Sequence, residues 1–203
     1  MVICEINFQG IDLLLKVIGG ITATVLFFIG FWRYNREQKW KRKEFVAKEI
    51  KEFHEDRMNK NAMLMLDWDT RNIELYPEHP EYEKRFVKIG RKELAKALIP
   101  HHILSRSFNR DEAIIRDTFD HFLSNITRFE HFVETGIVSI EDFKPYLRYW
   151  MDAIAYKLPE PSRSVLHHYI LAYEYVGVMK FLARFGREIK PTQSLDILTK
   201  EIN

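Results

Sequence analysis

The chain has a single cysteine, Cys4, among its 203 residues. No intrachain disulfide is available, and thiol chemistry is excluded from everything that follows residue 4. Glycine-rich phosphate cradles are missing too. There is no G-x-G-x-x-G, no Walker loop and no G-x-S-x-G nucleophile turn. Internal repeats and low-complexity runs are absent. A strong excess of one charge is also lacking, since the formal balance is only +2. General nucleic-acid binding requires a basic face on the domain itself. Here the basic excess is confined to one short stretch, and the rest of the chain is mildly acidic. No nucleic-acid partner is expected.

What the sequence does contain is one long apolar run, Leu13 to Trp32, LLLKVIGGITATVLFFIGFW. About twenty helical residues at roughly 1.5 Å rise each match the roughly 30 Å hydrocarbon core of a bilayer. The charged Lys16 lies near one end, where its stem can carry the ammonium toward the headgroups. Trp32, Tyr34 and Trp40 gather at the other boundary, as amphipathic rings do at a membrane interface. Directly after the span, Arg33, Arg36, Lys39, Lys41, Arg42 and Lys43 stand against one acid, Glu37. Glu5 and Asp12 are the charged side chains before it. Positive charge stays on the cytoplasmic side. The expected topology is single-pass in the inner (cytoplasmic) membrane, with a short extracytoplasmic N-terminus, 1–12, and a cytoplasmic C-terminal body. The six basic residues of this neck, 33–43, are the candidate contacts for anionic lipid headgroups, each contributing about 1 kcal/mol near a charged surface. Gly19 with Ala23 and Gly20 with Thr24 form small-xxx-small pairs that permit weak self-association within the membrane.

Beyond the neck the pattern predicts helices almost throughout, so the fold class is all-α: one transmembrane helix, 13–32, followed by a cytoplasmic helical bundle over 44–186. Val46, Ile50 and Phe53 recur at steps of four and three, and this seam is expected to dock on the domain. Ala62 to Leu66 continues as a short helix. Asp67 to Pro80 reads as a break, with Pro77 and Pro80 in polar surroundings. Within 82–100, RFVKIG reads as a short strand and RKELAKAL as one or two helical turns. Asn109-Arg-Asp-Glu112 resembles a capping box, opening an aromatic stripe: Ile115, Phe119, Phe122, Ile126, Phe129 and Val133. Gly136 ends that helix. The next begins near Ser139, is expected to be delayed or kinked by Pro145, and carries Phe143, Leu147, Trp150 and Ile154. Val165 to Phe185 reads as one helix with two apolar stripes, the central member of the bundle, with Gly177 at a bend or close helix contact. Residues 187–203 read as a loosely held tail.

No cofactor is implied. None of the eight histidines has a glutamate three residues before it, which excludes the Glu-x-x-His pattern of di-iron bundles. H-E-x-x-H is absent as well. Asp117 and His121, four residues apart, share one face of the long helix with Asp120, Ser124, Arg128 and His131. That arrangement reads as a solvated polar face with local ion pairs. His168 lies near the Leu171/Tyr175 stripe and is expected to be a partly buried, hydrogen-bonded core histidine. Asn125-Ile-Thr127 is a formal glycosylation sequon, but it falls mid-helix on the cytoplasmic side.

The segment RDTFDHFLSNITRFEHFVETGIVSIEDFKPYLRYWMDAI, Arg116 to Ile154, resembles a module of uncharacterised bacterial membrane-anchored helical proteins. In these an F-x-x-F-L-x-x-I-x-R-x-E helix precedes a short Gly-Ile/Leu-Ile/Val-x turn, an acidic helix start and a Tyr/Trp-rich helix. Leu66-Asp67-Trp68 and the N-terminal anchor extend the likeness. The resemblance implies bacterial origin and topology, and it transfers no activity. Two function classes follow. One is a membrane-tethered interaction or regulatory module that holds a cytoplasmic protein partner at the membrane. The other is a membrane-anchored enzyme with a polar site near Asp117, His121 and His168. An enzyme brings such groups together in one pocket. A docking module exposes an apolar patch.

Overall fold

Capping and periodicity account for most of the elements. A computed structural model describes residues 8–103 and 106–202, with the side chains of 8–14, 199, 201 and 202 outside that description. The expected N-terminus, with Cys4 and Glu5, falls largely outside the described residues. The chain is 74% helix and 5% strand, so the all-α assignment holds at that level. It divides into two units, 1–45 and 46–203. The first helix, α1, runs unbroken over Phe8–Glu55. Within it lies a stretch long and apolar enough to cross a membrane, none of it buried.

In the second unit Asp56 caps α2 (Arg57–Asp67), accepting the Asn59 N–H at 2.8 Å. A two-stranded antiparallel hairpin follows, β1 (Thr70–Glu74) on β2 (Phe86–Gly90), with Asn72 opposite Lys88. The strand read into RFVKIG is therefore β2. Its partner β1 lies inside the stretch expected to be a break. Only Ile73 of β1 is buried, so no alternation in TRNIE announces a strand. α3 is Arg91–Leu98, and α4 is Arg110–Glu134. The capping box of α4 is complete: Asn109 accepts from Glu112 N–H at 2.8 Å, and Glu112 returns the bond at 3.0 Å. Gly136, at φ 75°, follows the end of α4 in the left-handed region that glycine tolerates.

α5 (Ile140–Asp152) starts directly after Ser139 and continues through Pro145, which does not delay it. A single π turn, Ala153–Lys157, extends it. The segment expected to be one central helix is instead two, α6 (Ser162–Ala172) and α7 (Val176–Arg184). The chain breaks at Glu174, whose φ of 53° is costly for a side chain with a Cβ. Residues 187–203, expected to be loose, are tied back. Arg187 pairs with Asp152 at 2.8 Å, the Ser164 hydroxyl accepts the Thr192 N–H at 3.0 Å, and Leu198 of α8 (Leu195–Ile202) is fully buried.

The core is aromatic. Phe53 stacks on Phe122 and Phe129 at ring separations of 5.7 and 5.2 Å, and Phe143 joins Phe129 at 4.9 Å. Val46, Ile50 and Phe53 are buried, as the seam predicted. On α5 and the π turn that extends it, the buried stripe is Phe143, Leu147, Met151 and Ile154. Trp150, expected in that stripe, is only half-buried. Residues three and four beyond Leu147 lie about equally far from its face, and packing chose Met151. Gly177 marks a close approach of α7 to α4. A Cβ there would stand 2.9 Å from both Cβ and Oγ1 of Thr127, whose hydroxyl is held by the Leu123 carbonyl at 3.1 Å. Gly177→Ala is expected to lower stability by about 1–3 kcal/mol through overpacking. Thermal unfolding of the single variant and of Gly177→Ala/Thr127→Ala checks this, because the second change removes Oγ1 and the methyl but keeps the Cβ and should restore only part of the loss.

Candidate functional site

Among the described residues of the apolar run, the side chains of 15–32 are all exposed. Leu26, Phe27 and Phe28 each expose more than 60% of their surface. A water-soluble helix hides such a stripe against its own core. The hydroxyls within the span are internally satisfied: Thr22 and Thr24 donate to the carbonyls of Ile18 and Gly20, both at 2.8 Å. In hydrocarbon no water is available to do so. Gly19, Gly20 and Gly30 have open space where a Cβ would lie, so the surface carrying the Gly19/Ala23 and Gly20/Thr24 pairs is uncovered.

The neck continues the same helix. Arg33, Arg36, Lys39, Lys41 and Lys43 are exposed, and Arg42 is half-buried. Trp32, Tyr34 and Trp40 are exposed among them. The Arg36 guanidinium lies over the Trp32 ring at 5.8 Å. Trp32, Arg36 and Trp40 recur at steps of four, so ring, cation and ring share one side of the helix. A shallow groove of about 400 Å³ runs along them, flanked by Arg33 and Glu37. Chemically, this surface matches a phosphate-rich interface: cations for the anions, indoles for the boundary between apolar and wet.

The residues considered for catalysis do not meet. Asp117 is exposed on α4. His121 turns to Asp56 at 3.1 Å, joining α4 to the start of α2. His168 is half-buried, donating from Nε2 to the Gln193 carbonyl at 2.9 Å. The fully buried histidine is its neighbour His167, whose Nε2 bonds the Ile154 carbonyl at 2.9 Å. Among the described residues no group of three or more His, Cys, Asp or Glu is placed to hold a metal ion.

A polar cluster that the sequence did not announce lies on the neighbouring side of α4. Asp120 Oδ1 accepts from the hydroxyls of both Tyr169 and Tyr175, the latter at 2.6 Å. Burial, reinforced by the Asp120 carboxylate, pushes both phenols well above their ordinary range, so they remain donors. One turn earlier, Arg116 donates to the Ala97 and Ile99 carbonyls at 2.8 and 2.9 Å, closing the end of α3. It also donates to Tyr173 Oη at 2.5 Å and lies over the ring of Phe108 at 4.2 Å. The Tyr173 oxygen accepts the His101 backbone N–H as well, which leaves its proton for His101 Nδ1 at 2.6 Å. The cluster fastens α3, α6 and the start of α7 to α4.

The second unit also carries an exposed aromatic face. Tyr146 and Tyr149 on α5 and Trp68 at the end of α2 are each about half exposed. They are joined through the Tyr149 hydroxyl on Asp67, and half-buried Trp150 packs edge-on against Tyr149 at 5.0 Å. Cations cap the rings: Lys157 over Tyr149 at 4.2 Å and Arg71 over Trp68 at 4.6 Å. This is the composition of a protein-docking surface, where Tyr, Trp and Arg are enriched. Spacing placed Trp150 on the apolar stripe of its helix, and only the fold brings Asp67 and Trp68 to Tyr149.

No protein family, curated protein or solved structure matches the chain. The resemblance of 116–154 to bacterial membrane-anchored helical proteins gains no support from these comparisons.

Proposed function

We propose that the protein is a single-pass anchor of the inner membrane whose cytoplasmic helical domain holds a protein partner close to the bilayer. The observation that carries this reading is the uncovered apolar helix that passes directly into an exposed basic and aromatic neck. Left in water, that stretch would cost far more than a marginally stable domain can supply. A bilayer removes the cost, and a basic neck sets the orientation with the N-terminus outside. Arg33, Arg36, Lys39, Lys41, Arg42 and Lys43 would rest among anionic headgroups, and the Gly19/Ala23 and Gly20/Thr24 face permits weak pairing of two spans. The aromatic face of Trp68, Tyr146 and Tyr149 is the surface offered to a partner protein. The enzyme alternative is not favoured, because Asp117, His121 and His168 each face a different partner or solvent.

The orientation is tested by reporter fusion. A reporter active only in the cytoplasm, joined after Asn203 of the whole chain, should be active, and a reporter active only in the periplasm should be silent there. The reverse pair of results refutes the topology.

A further inference from the structure

Away from the neck and the aromatic face, the loop 75–80 and the first turns of α2 and α4 enclose a cleft of about 460 Å³. This is within the size range of small-molecule sites. Its apolar wall includes Leu75, which is buried, and Ile114, which is half-buried. Its polar lining is unusual in charge. Arg57 and Arg110, from separate helices, both line it, both are exposed, and neither is paired with a carboxylate among the described residues. Other arginines of the unit are paired with carboxylates, among them Arg106 with Glu112, Arg184 with Glu130 and Arg187 with Asp152, while exposed Arg71 lies over the Trp68 ring.

The fold gains little from these two cations. Each is the first residue of its helix, where positive charge works against the helix dipole. Arg110 is held above the Tyr76 ring at 4.5 Å. The Tyr76 hydroxyl is itself anchored on Asp111, and burial followed by that carboxylate pushes the phenol up to about 12. The platform under Arg110 is therefore fixed, and the Asp111 carboxylate is occupied. His79, also in the lining, accepts the Glu81 N–H on Nδ1 at 3.2 Å, which leaves its proton on Nε2 as a further donor. Glu78 is the carboxylate that lines the cleft, and it is exposed to screening solvent.

Two guanidiniums without carboxylate partners, a histidine donor and an apolar wall describe a receptor for an organic dianion. We propose that this cleft binds a phosphomonoester, with Arg57 and Arg110 on the phosphoryl oxygens and the ester's organic part against Leu75 and Ile114. Planar guanidinium forks match phosphoryl oxygens two at a time. The volume exceeds what inorganic phosphate fills. The same chemistry occurs on soluble metabolites and on phosphatidic acid, and the two are separable by experiment. The proposal does not rest on the membrane reading, because the cleft lies wholly within residues 46–203.

The test is titration of the full chain, in detergent micelles, with phenyl phosphate, followed by calorimetry and phosphorus NMR. One saturable site is expected. Arg57→Gln and Arg110→Gln should each weaken it about tenfold or more, and leave the melting temperature of the unliganded protein undiminished. Arg110→Lys, which keeps charge but loses the fork, should still bind more weakly than the native chain. Dihexanoyl phosphatidic acid displacing the probe where glycerol 3-phosphate does not places the ester on a lipid, and the opposite places it on a metabolite. Either supports the phosphomonoester. Failure of phenyl phosphate to saturate, equal binding of benzoate, or full affinity in both glutamine variants overturns it.

Discussion

Phe122→Ala is expected to lower the unfolding free energy by about 3–5 kcal/mol, the cost of truncating a buried aromatic ring. Phe122 has no exposed surface and meets Phe53 at 5.7 Å and Phe119 at 6.4 Å. It therefore joins the last turns of α1 to the centre of α4. Its neighbours belong to helix backbones that cannot collapse into the void, so the cavity term adds to the lost transfer energy. Trp150→Ala is the comparison. The larger ring is only half-buried and should cost roughly 1–2 kcal/mol. Denaturant unfolding of the full chain in detergent, followed by tyrosine and tryptophan near-UV dichroism, reads both. Equal losses, or no loss for Phe122→Ala, would mean that the aromatic stripe of α4 does not form the core.

A second large effect concerns the span. Ile21→Asp together with Val25→Asp should remove the chain from the membrane fraction. Both side chains lie near the middle of 13–32, and both are at least half exposed in an apolar stretch of which none is buried. An aspartate at the centre of a membrane helix costs about 2.5–3.5 kcal/mol on insertion scales, and the lost aliphatic side chains add a few tenths each. Two such changes amount to roughly 5–8 kcal/mol, beyond what snorkelling relieves at mid-depth. Alkaline carbonate extraction of native membranes distinguishes the outcomes. The native chain and Lys16→Ala should remain in the pellet, and the double variant should be released or degraded. Retention of the double variant in the pellet would require another anchor.

The network around Asp120 shows where sequence reading stops. On an unbroken helix Tyr169 and Tyr175, six residues apart, would face directions about 120° from one another. Each then falls on a different apolar stripe, and Asp120 across from them looks like part of a solvated face. The turn at Glu174 brings both hydroxyls to one carboxylate oxygen. Neither glycine nor proline marks that turn. The left-handed residue is held in place by what it permits: two phenol hydrogen bonds and the close seating of Gly177 on Thr127. The cleft above Tyr76 was hidden for a related reason. Arg57 and Arg110 are 53 positions apart, and each alone is an unremarkable first-turn arginine.

Local signals settled what depends on neighbours in the chain. The cap of Asn109 on Glu112, the apolar period of α4, the seam Val46/Ile50/Phe53 and the length and composition of the apolar run all follow from side-chain spacing on a helix of 3.6 residues per turn. The tertiary structure decided whatever required a choice between nearly equivalent faces or a partner far along the chain. It buried Met151 in place of Trp150, paired β1 with β2 around one buried isoleucine from each, Ile73 and Ile89, split the 165–185 segment, and folded the final residues back onto Ser164 and Asp152. Periodicity fixes a direction only to within one residue, roughly a hundred degrees. Packing against a close-filled core discriminates at the scale of a methyl group.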